Sequence, residues 1–325
     1  MAAGPGPRAG KEGNEFPPRP TFSPMNRADR HDDQADGGVG RGPGGPPHST
    51  EYLVIERKLV VNADDFGFTR DVNSGIVEAH RGGILTATTI MANGAAFEDA
   101  VRLAGENPGL DIGCHLVLVQ GESLARPGKP LPATLGALLR ALALGRMPVY
   151  EEFAAQVRRI VDAGLRPSHL DTHKHTHVLP SVLAAVARIS QEFGIPWVRR
   201  PFDFAMRGGS AKIPASVRIK GRLLAIPRRR FNAVLAAHGC RTTDHFAGFR
   251  LTGRFRTAEL AALIGQLPAG TVEFMCHPGH CGAELQAART RLKESREAEL
   301  QALTAVQTRQ ALDAAGVKLA TYREL

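Results

Sequence analysis

The sequence predicts an α/β fold, an irregular (β/α) TIM-like barrel that begins near residue 57. Three observations lead there. From Arg57 onward, short β-rich runs alternate with segments of helical periodicity, the pattern of a parallel sheet with crossover helices. Eight strand runs can be read, enough to close a barrel. The residues with chemistry to offer (Asp64, Asp65, His115, the histidines from 169 to 177, and His277) fall at the C-terminal ends of these runs, where barrels build their sites.

The elements follow in order. The first strand, residues 58–62, contains Leu59-Val60-Val61 and runs into Asn62-Ala63-Asp64-Asp65-Phe66-Gly67. A helix over 71–81, a strand over 86–92 and a helix over 95–106 lead to a strand over 111–118. Residues 121–147, rich in Leu, Gly and Pro, read as a loop insertion above the barrel mouth. A helix over 150–163, a strand over 168–173, a helix over 180–193 and a strand over 196–200 resume the alternation. Gly83, Gly164 and Gly194 lie just past three of these helices, where a left-handed cap is wanted. Residues 202–240 interrupt the pattern, which makes the barrel irregular. Strands over 243–249, 271–277 and 318–322, with helices over 257–266 and 284–315, complete the chain.

Composition bounds the rest. The 325 residues are 43% hydrophobic, ample for a core, and no run of about 18 apolar residues predicts a spanning helix. The N-terminus shows no apolar signal region, and four cysteines do not make a disulfide framework. With Cys114 and Cys276 in strand runs, a reducing cytoplasm is expected. The first fifty residues hold ten Gly and nine Pro without apolar periodicity, so residues 1–56 are expected to be a disordered extension. Met25 is an alternative start. Residues 1–57 carry 7 Lys and Arg against 8 Asp and Glu, so the net charge of +9 belongs to the barrel domain, residues 57–325, and points to an anionic partner or surface.

Asp64 and Asp65 are adjacent carboxylates at a strand tip. Consecutive strand residues point to opposite sides, so one can hold a metal while the other faces substrate; the plain alternative is a cap for the next helix. His115, alone in its strand, would ordinarily be a hydrogen-bonded core residue. The run His169-Leu170-Asp171-Thr172-His173-Lys174-His175-Thr176-His177 changes that weighting. Its four histidines and Asp171 all occupy odd positions, one face of an extended segment. His277 ends another strand at a Pro-Gly turn. A structural zinc on Cys276, His277, His280 and Cys281 is conceivable, but the spacing is unlike ordinary zinc knuckles. One acid and two imidazoles from different strands fit a facial metal site with open positions, the arrangement of a catalytic metal. Asp64 and His277 are then the available base and acid.

Four segments, in this order and spacing, resemble the YdjC-like carbohydrate deacetylases. They are Asn62-Ala63-Asp64-Asp65-Phe66-Gly67, Gly113-Cys114-His115-Leu116, His169 to His177, and Cys276-His277-Pro278-Gly279. The family includes chitooligosaccharide deacetylase and the deacetylases associated with hopanoid biosynthesis, and the resemblance covers roughly residues 57–325. It implies a distorted barrel of the glycoside hydrolase/deacetylase type and metal-dependent removal of acetyl from an N-acetylated sugar. It implies Asp65, His115 and His173 as metal ligands, Asp64 as the general base and His277 as the acid. His175 and His177 would stand behind the ligands or face substrate, and Asp171 would orient a ligand imidazole. The family is described as using magnesium, whereas two imidazoles and a carboxylate suit zinc or another transition ion better. Cys114 stands where relatives usually carry an apolar residue, which leaves open whether its thiol, or that of Cys276, affects the metal site. Lys174, and Thr243 to Gly248, lean toward the hopanoid-associated branch and an N-acetylglucosaminyl lipid as substrate.

Two other readings stand beside this one. A phosphoesterase would use enough Asp and His ligands for two metals. A non-catalytic sugar-binding protein on the same fold would have lost Asp64, Asp65 or His277, and all three are present. The most basic stretch, residues 218–231, reads either as a solvated surface helix interrupted at Pro227 or as a peripheral contact with the inner membrane face. In the second case arginines would meet anionic headgroups while Leu223, Leu224 and Ile226 enter the interface. No nucleic-acid reading module is recognisable. Barrels of this size often pair, so a homodimer stands beside the monomer as an oligomeric state the sequence leaves open.

Overall fold

The structure, a computed structural model, describes residues 56–206 and 213–325. The expected extension lies, apart from Glu56, outside the described residues. The strands are β1 (Arg57–Phe66), β2 (Ala87–Ile90), β3 (Asp111–Leu116), β4 (His169–Thr172), β5 (Trp197–Val198), β6 (His245–Ala247), β7 (Gly270–Cys276) and β8 (Val317–Leu319). The helices are α1 (Arg70–Gly82), α2 (Phe97–Glu106), α3 (Leu135–Ala143), α4 (Val149–Asp162), α5 (Pro180–Phe193), α6 (Ala215–Leu224), α7 (Arg228–Ala237), α8 (Thr257–Ile264), α9 (Ala283–Ala287), α10 (Glu294–Thr304) and α11 (Val306–Ala315). All strand pairings are parallel, in the order β5-β4-β3-β2-β1-β7-β6. Isolated parallel bridges, Trp197 to Arg241 and Asp203 to Phe246, join the two edges, so the sheet curls into the irregular barrel expected.

Seven strands make the wall. β8 pairs only with Arg57–Leu59 of β1, while β2 takes β1 from Asn62 onward. At ten residues, β1 is long enough to serve both neighbours in succession along one edge.

The period of two along β1 sorts its side chains. Leu59, Val61 and Ala63 join the large core packed against the helices. Val60, Asn62 and Asp64 form the other series and climb the barrel interior. Val60 packs with Ala87, Trp197, Ala320 and Tyr322 in a small apolar plug. Above it Asn62 Oδ1 meets His169 Nε2 at 2.9 Å, and His169 stacks on Tyr322 at 4.0 Å. Asp64 comes next, at the level of the site. The interior is thus apolar at the bottom and ionic at the top.

Several local expectations need correction. The insertion at 121–147 is not all loop, since α3 lies within it, capped by Thr134. The single helix expected over 284–315 is three, α9, α10 and α11; the break between α9 and α10 lets residues 288–292 line the central cavity, and Ala305, with ψ 137°, turns the chain into α11. Gly164 and Gly194 are left-handed, at φ +84° and +64°, but Gly83 is not, at φ −123°. What Gly83 provides is room: a Cβ there would sit 2.6 Å from the carbonyl oxygens of both Ala79 and Leu303. The acids 64 and 65 do not cap α1 either, because Thr69 does, accepting from the Val72 N–H.

Candidate active site

One cavity of about 840 Å³ lies at the C-terminal ends of the strands, lined by Asp64, Asp65, His115, His173, His175 and His277 among others. The alternation that should separate Asp64 from Asp65 fails for a visible reason. The β1–β2 register shifts between Ala63 and Phe66, and Asp65 is left-handed at φ 72°. The reversal turns both carboxylates into the cavity. Among the described residues four non-glycine residues have positive φ (Asp65, Gln120, Lys174 and His175), and all four line this cavity. Backbone strain of this kind persists where the surroundings enforce it, typically at functional sites.

The histidine run departs from an extended segment after Thr172. β4 carries His169 and Asp171 inward as the odd-position pattern requires, but residues 173–178 form a 3-10 turn with Lys174 and His175 left-handed. His173, Lys174 and His175 therefore all line the cavity, which no strand could achieve. His177 does not. It is buried with Nδ1 against Thr172 Oγ1 at 2.6 Å and Nε2 against the Arg199 carbonyl at 3.0 Å, and burial pushes its imidazole down to about 3. Its role is to pin the turn.

Three donor atoms converge. Asp65 Oδ1 lies 3.4 Å from His115 Nε2 and 3.3 Å from His173 Nδ1, and the two nitrogens are 3.2 Å apart. Asp65 Oδ1 is buried without a hydrogen-bond partner, while Oδ2 is held by Arg296. The His115 tautomer is set from behind: Nδ1 donates to Asp171 Oδ1 at 2.7 Å, which leaves the Nε2 lone pair facing the triangle. Orphaned oxygen, oriented imidazole and mutual spacing all fit a divalent cation bound by Asp65, His115 and His173.

Charge agrees with that fit. Among the described residues, Asp64, Asp65, Asp171 and Glu273 are buried around two guanidinium groups, Arg199 and Arg296. Burial opposes charge on His115, but Asp171, Asp65 and Asp64 outweigh it and push the imidazole up to about 10. The field that would hold a proton there also favours a metal cation. A second cluster, Asp64, His115 and Asp171, does not fit a metal. Arg199 occupies it, bonding Asp64 at 2.7 and 2.8 Å, Glu273 at 2.6 Å, and Asp171. Among the described residues this leaves the Asp65, His115 and His173 triangle as the group free to take an ion.

Asp64 and His277 face each other, Oδ2 to Nε2 at 3.8 Å. Burial opposes ionisation of Asp64, yet Arg199, His115 and His277 hold it well below the usual carboxylate range. Burial pushes His277 down to about 4 despite the pull of Asp64 and Asp65. Its backbone N–H donates to Glu299 Oε2 at 2.6 Å, and Glu299 Oε1 accepts from Gly253 N–H at 2.6 Å.

Side-chain direction settles the two questions the cysteines raised. Cys114 alternates with His115, is fully buried in the core, and does not line the cavity. Cys276 turns its thiol to the Asn62 carbonyl, and no cluster of Cys276, His277, His280 and Cys281 forms among the described residues. Sequence reasoning missed Arg199, Arg296 and Glu299. Arg199 left a trace, a charge at the end of a strand run; Arg296 and Glu299 sit in an ordinary charged helical pattern.

The chain matches the YdjC-like protein family over residues 58–314. A carbohydrate deacetylase of Brevibacillus brevis is 33% identical over 272 residues, 82% of this chain and 99% of that protein. A chitooligosaccharide deacetylase of Klebsiella pneumoniae is 33% identical over 277 residues, 83% of this chain and all of that protein. In fold, the chain is similar to an Enterococcus faecalis V583 crystal structure described as a proposed cellobiose-phosphate cleavage protein. The TM-score is 0.66 at 24% identity, over 82% of this chain and 98% of that one. By sequence, along nearly the whole barrel, the chain belongs to the YdjC-like family.

Proposed function

We propose that this protein is a metal-dependent hydrolase that removes the acetyl group from an N-acetylated sugar of the N-acetylglucosamine type. The observation that carries the reading is the triangle of Asp65, His115 and His173 with Asp64 and His277 beside it in one cavity. Relatives named as carbohydrate and chitooligosaccharide deacetylases support the choice of bond. A divalent ion bound there supplies an acidified water and a polarised carbonyl. Two imidazoles and one carboxylate favour zinc or another transition ion over magnesium.

Asp64 takes the proton of the attacking water. Arg199 holds the carboxylate in place and favours its ionised form. Asp64 Oδ2 and His277 Nε2 face each other at 3.8 Å, which places the imidazole to share that proton. His277 therefore receives the proton from Asp64 and delivers it to the departing amine. His175, buried with an unpartnered Nδ1 and packed on Phe249 at 5.6 Å, faces the sugar. Acetate release from N-acetylated sugars, measured with elemental analysis of untreated protein, tests the reading. Stoichiometric metal without acetate release from any of them would reject it.

A lipid-linked substrate, as in hopanoid biosynthesis, is the finer reading, and α6 supports it. That helix has no buried residue, and Ile219, Leu223 and Ile226 are 55%, 59% and 75% exposed among Arg218, Arg222 and Arg228 to Arg230. Its Ser216, Val217 and Lys220 line the cavity, so docking this patch on an anionic membrane would bring the mouth to the lipid. Among the described residues no helix is long and apolar enough to cross a membrane. A cytoplasmic enzyme touching the inner membrane face should pellet with anionic vesicles at low salt, and reversing the charges at Arg228, Arg229 and Arg230 should leave it in the supernatant. Equal behaviour of both proteins would make soluble chitooligosaccharides the better substrate. Pairing of barrels into a homodimer is open to the same samples by sedimentation.

A further inference from the structure

Arg296 differs from every other cation of the cavity. It lies on α10, 1% exposed, yet lines the cavity. Nη2 donates to Asp65 Oδ2 and Nε to the Leu292 carbonyl at 3.3 Å, whereas Nη1 is buried with no acceptor. Buried donors are nearly always paired, so an orphan on a residue that lines a reaction cavity is open to a partner that arrives from outside. The other cations do not offer this. Arg199 spends Nε and both terminal nitrogens on Asp64, Asp171 and Glu273. Lys174 is exposed and bonded to Gln120 at 3.0 Å, and Lys220, Arg254, Arg289 and Arg291 are exposed.

The sequence has made room for this side chain. A Cβ at Gly279 would sit 3.3 Å from Arg296 Cδ and 3.3 Å from Val72 Cα, and the Gly279 N–H donates to the Arg296 carbonyl at 3.3 Å. The turn that presents His277 therefore also seats the arginine.

We propose that Arg296 Nη1 is the oxyanion donor, hydrogen-bonding the acetyl carbonyl oxygen as negative charge develops there. The proposal rests on the deacetylase reading and adds a catalytic residue to it. In the addition step the water oxygen bonds to the carbonyl carbon, the π pair moves onto the carbonyl oxygen beside Arg296, and one water proton goes to Asp64. In the collapse that pair re-forms the carbonyl and the C–N bond breaks. The nitrogen keeps the bonding pair and takes the proton through His277. The products are the free amine and acetic acid, which ionises by giving its proton to the amine. A guanidinium suits the task because it keeps its charge throughout, and the bond to Asp65 fixes its plane before substrate arrives.

The test compares wild type, Arg296→Met and Arg296→Lys in the metal-loaded protein, with N-acetylglucosamine and its β-linked dimer as probes. Arg296→Met should lower kcat by about 10²–10³-fold, the usual loss for one oxyanion donor, with KM within about threefold and metal content unchanged. Arg296→Lys should recover part of the loss. Inhibition by product acetate should weaken about tenfold in the Met variant, a readout that a purely structural hold on Asp65 would not move. The proposal is overturned if Arg296→Met keeps kcat within about threefold at full metal content. It is equally overturned if the loss is restored by excess metal while acetate inhibition is unchanged. Should Arg296→Met not fold, Arg296→Gln takes its place: a fall in kcat with weakened acetate inhibition at full metal content supports the proposal, and an unchanged kcat overturns it. A wild type that releases no acetate from either probe overturns the deacetylase reading itself, a result distinct from the variant outcomes.

Discussion

Asparagine at position 64 is the sharpest probe of the division of labour between the two aspartates. Asp64→Asn keeps the side-chain shape and one carbonyl oxygen for Arg199, but turns the second acceptor into an amide that faces the guanidinium. Arg199 remains paired with Asp171 and Glu273, so the lost charge-assisted bond should lower stability by about 1.5–3 kcal/mol and leave the barrel folded. The Asp65, His115 and His173 triangle does not use Asp64, so metal content should stay at the wild-type level. What disappears is the acceptor for the proton of water. Loss of general-base help is worth about 10²–10⁴ in kcat, or roughly 2.7–5.5 kcal/mol of barrier. The assay is acetate release at saturating substrate, with elemental analysis and a thermal melt on the same preparation. A metal-free Asp64→Asn protein means the roles of the aspartates are exchanged. A metal-loaded one with kcat within about tenfold of wild type means Asp64 is only the counter-ion of Arg199.

Other outcomes follow from the same geometry. Asp65→Ala, His115→Ala and His173→Ala should each abolish metal binding and activity while the barrel still melts cooperatively; full metal occupancy in any two of them refutes the ligand set. Asp171→Asn should weaken metal affinity about 10–100-fold, because His115 loses the carboxylate that fixes its tautomer, and a metal titration unchanged from wild type speaks against that role. His277→Ala should lower kcat most for substrates with basic leaving amines; a uniform loss across leaving groups counts against proton delivery. Glu299 gives a pH signature: burial pushes its carboxyl up to about 7 although the His277 and Gly253 N–H bonds and Arg296 pull it down. Because this folded-state pKa is raised, the unfolded chain releases the proton first as pH rises from about 4.5 to 7, and stability falls across that window by about 3 kcal/mol, then levels. Melts of metal-free wild type and Glu299→Gln over this range should differ in slope, and parallel curves would falsify the assignment.

How much of this was legible beforehand depended on whether a residue's neighbours in sequence are also its neighbours in space. The strand runs, and the placing of Asp64, Asp65, His115, His173 and His277 at their tips, were readable because period and punctuation are local properties of the chain. The aspartate pair was located correctly, but its geometry was not: alternation predicts opposite sides, and a left-handed Asp65 with a register shift puts both acids in one cavity. The same failure recurs at Lys174 and His175, where two left-handed residues replace the extended face on which the odd-numbered histidines were to align. No propensity favours that conformation in these residues, so it is imposed by tertiary packing, as by His177, anchored between Thr172 and the Arg199 carbonyl. The residues wholly missed act across long separations. Arg199 joins Asp64 from 135 positions away, and Arg296 reaches Asp65 from 231. Nothing within a window of sequence marks such an arginine, because its burial is made acceptable only by carboxylates that other strands bring to it. Legibility therefore failed at the counter-ions rather than at the triangle of Asp65, His115 and His173. A cation site advertises itself through clustered imidazoles, but the groups that hold its carboxylates ionised and aimed are ordinary charged residues until the fold closes around them.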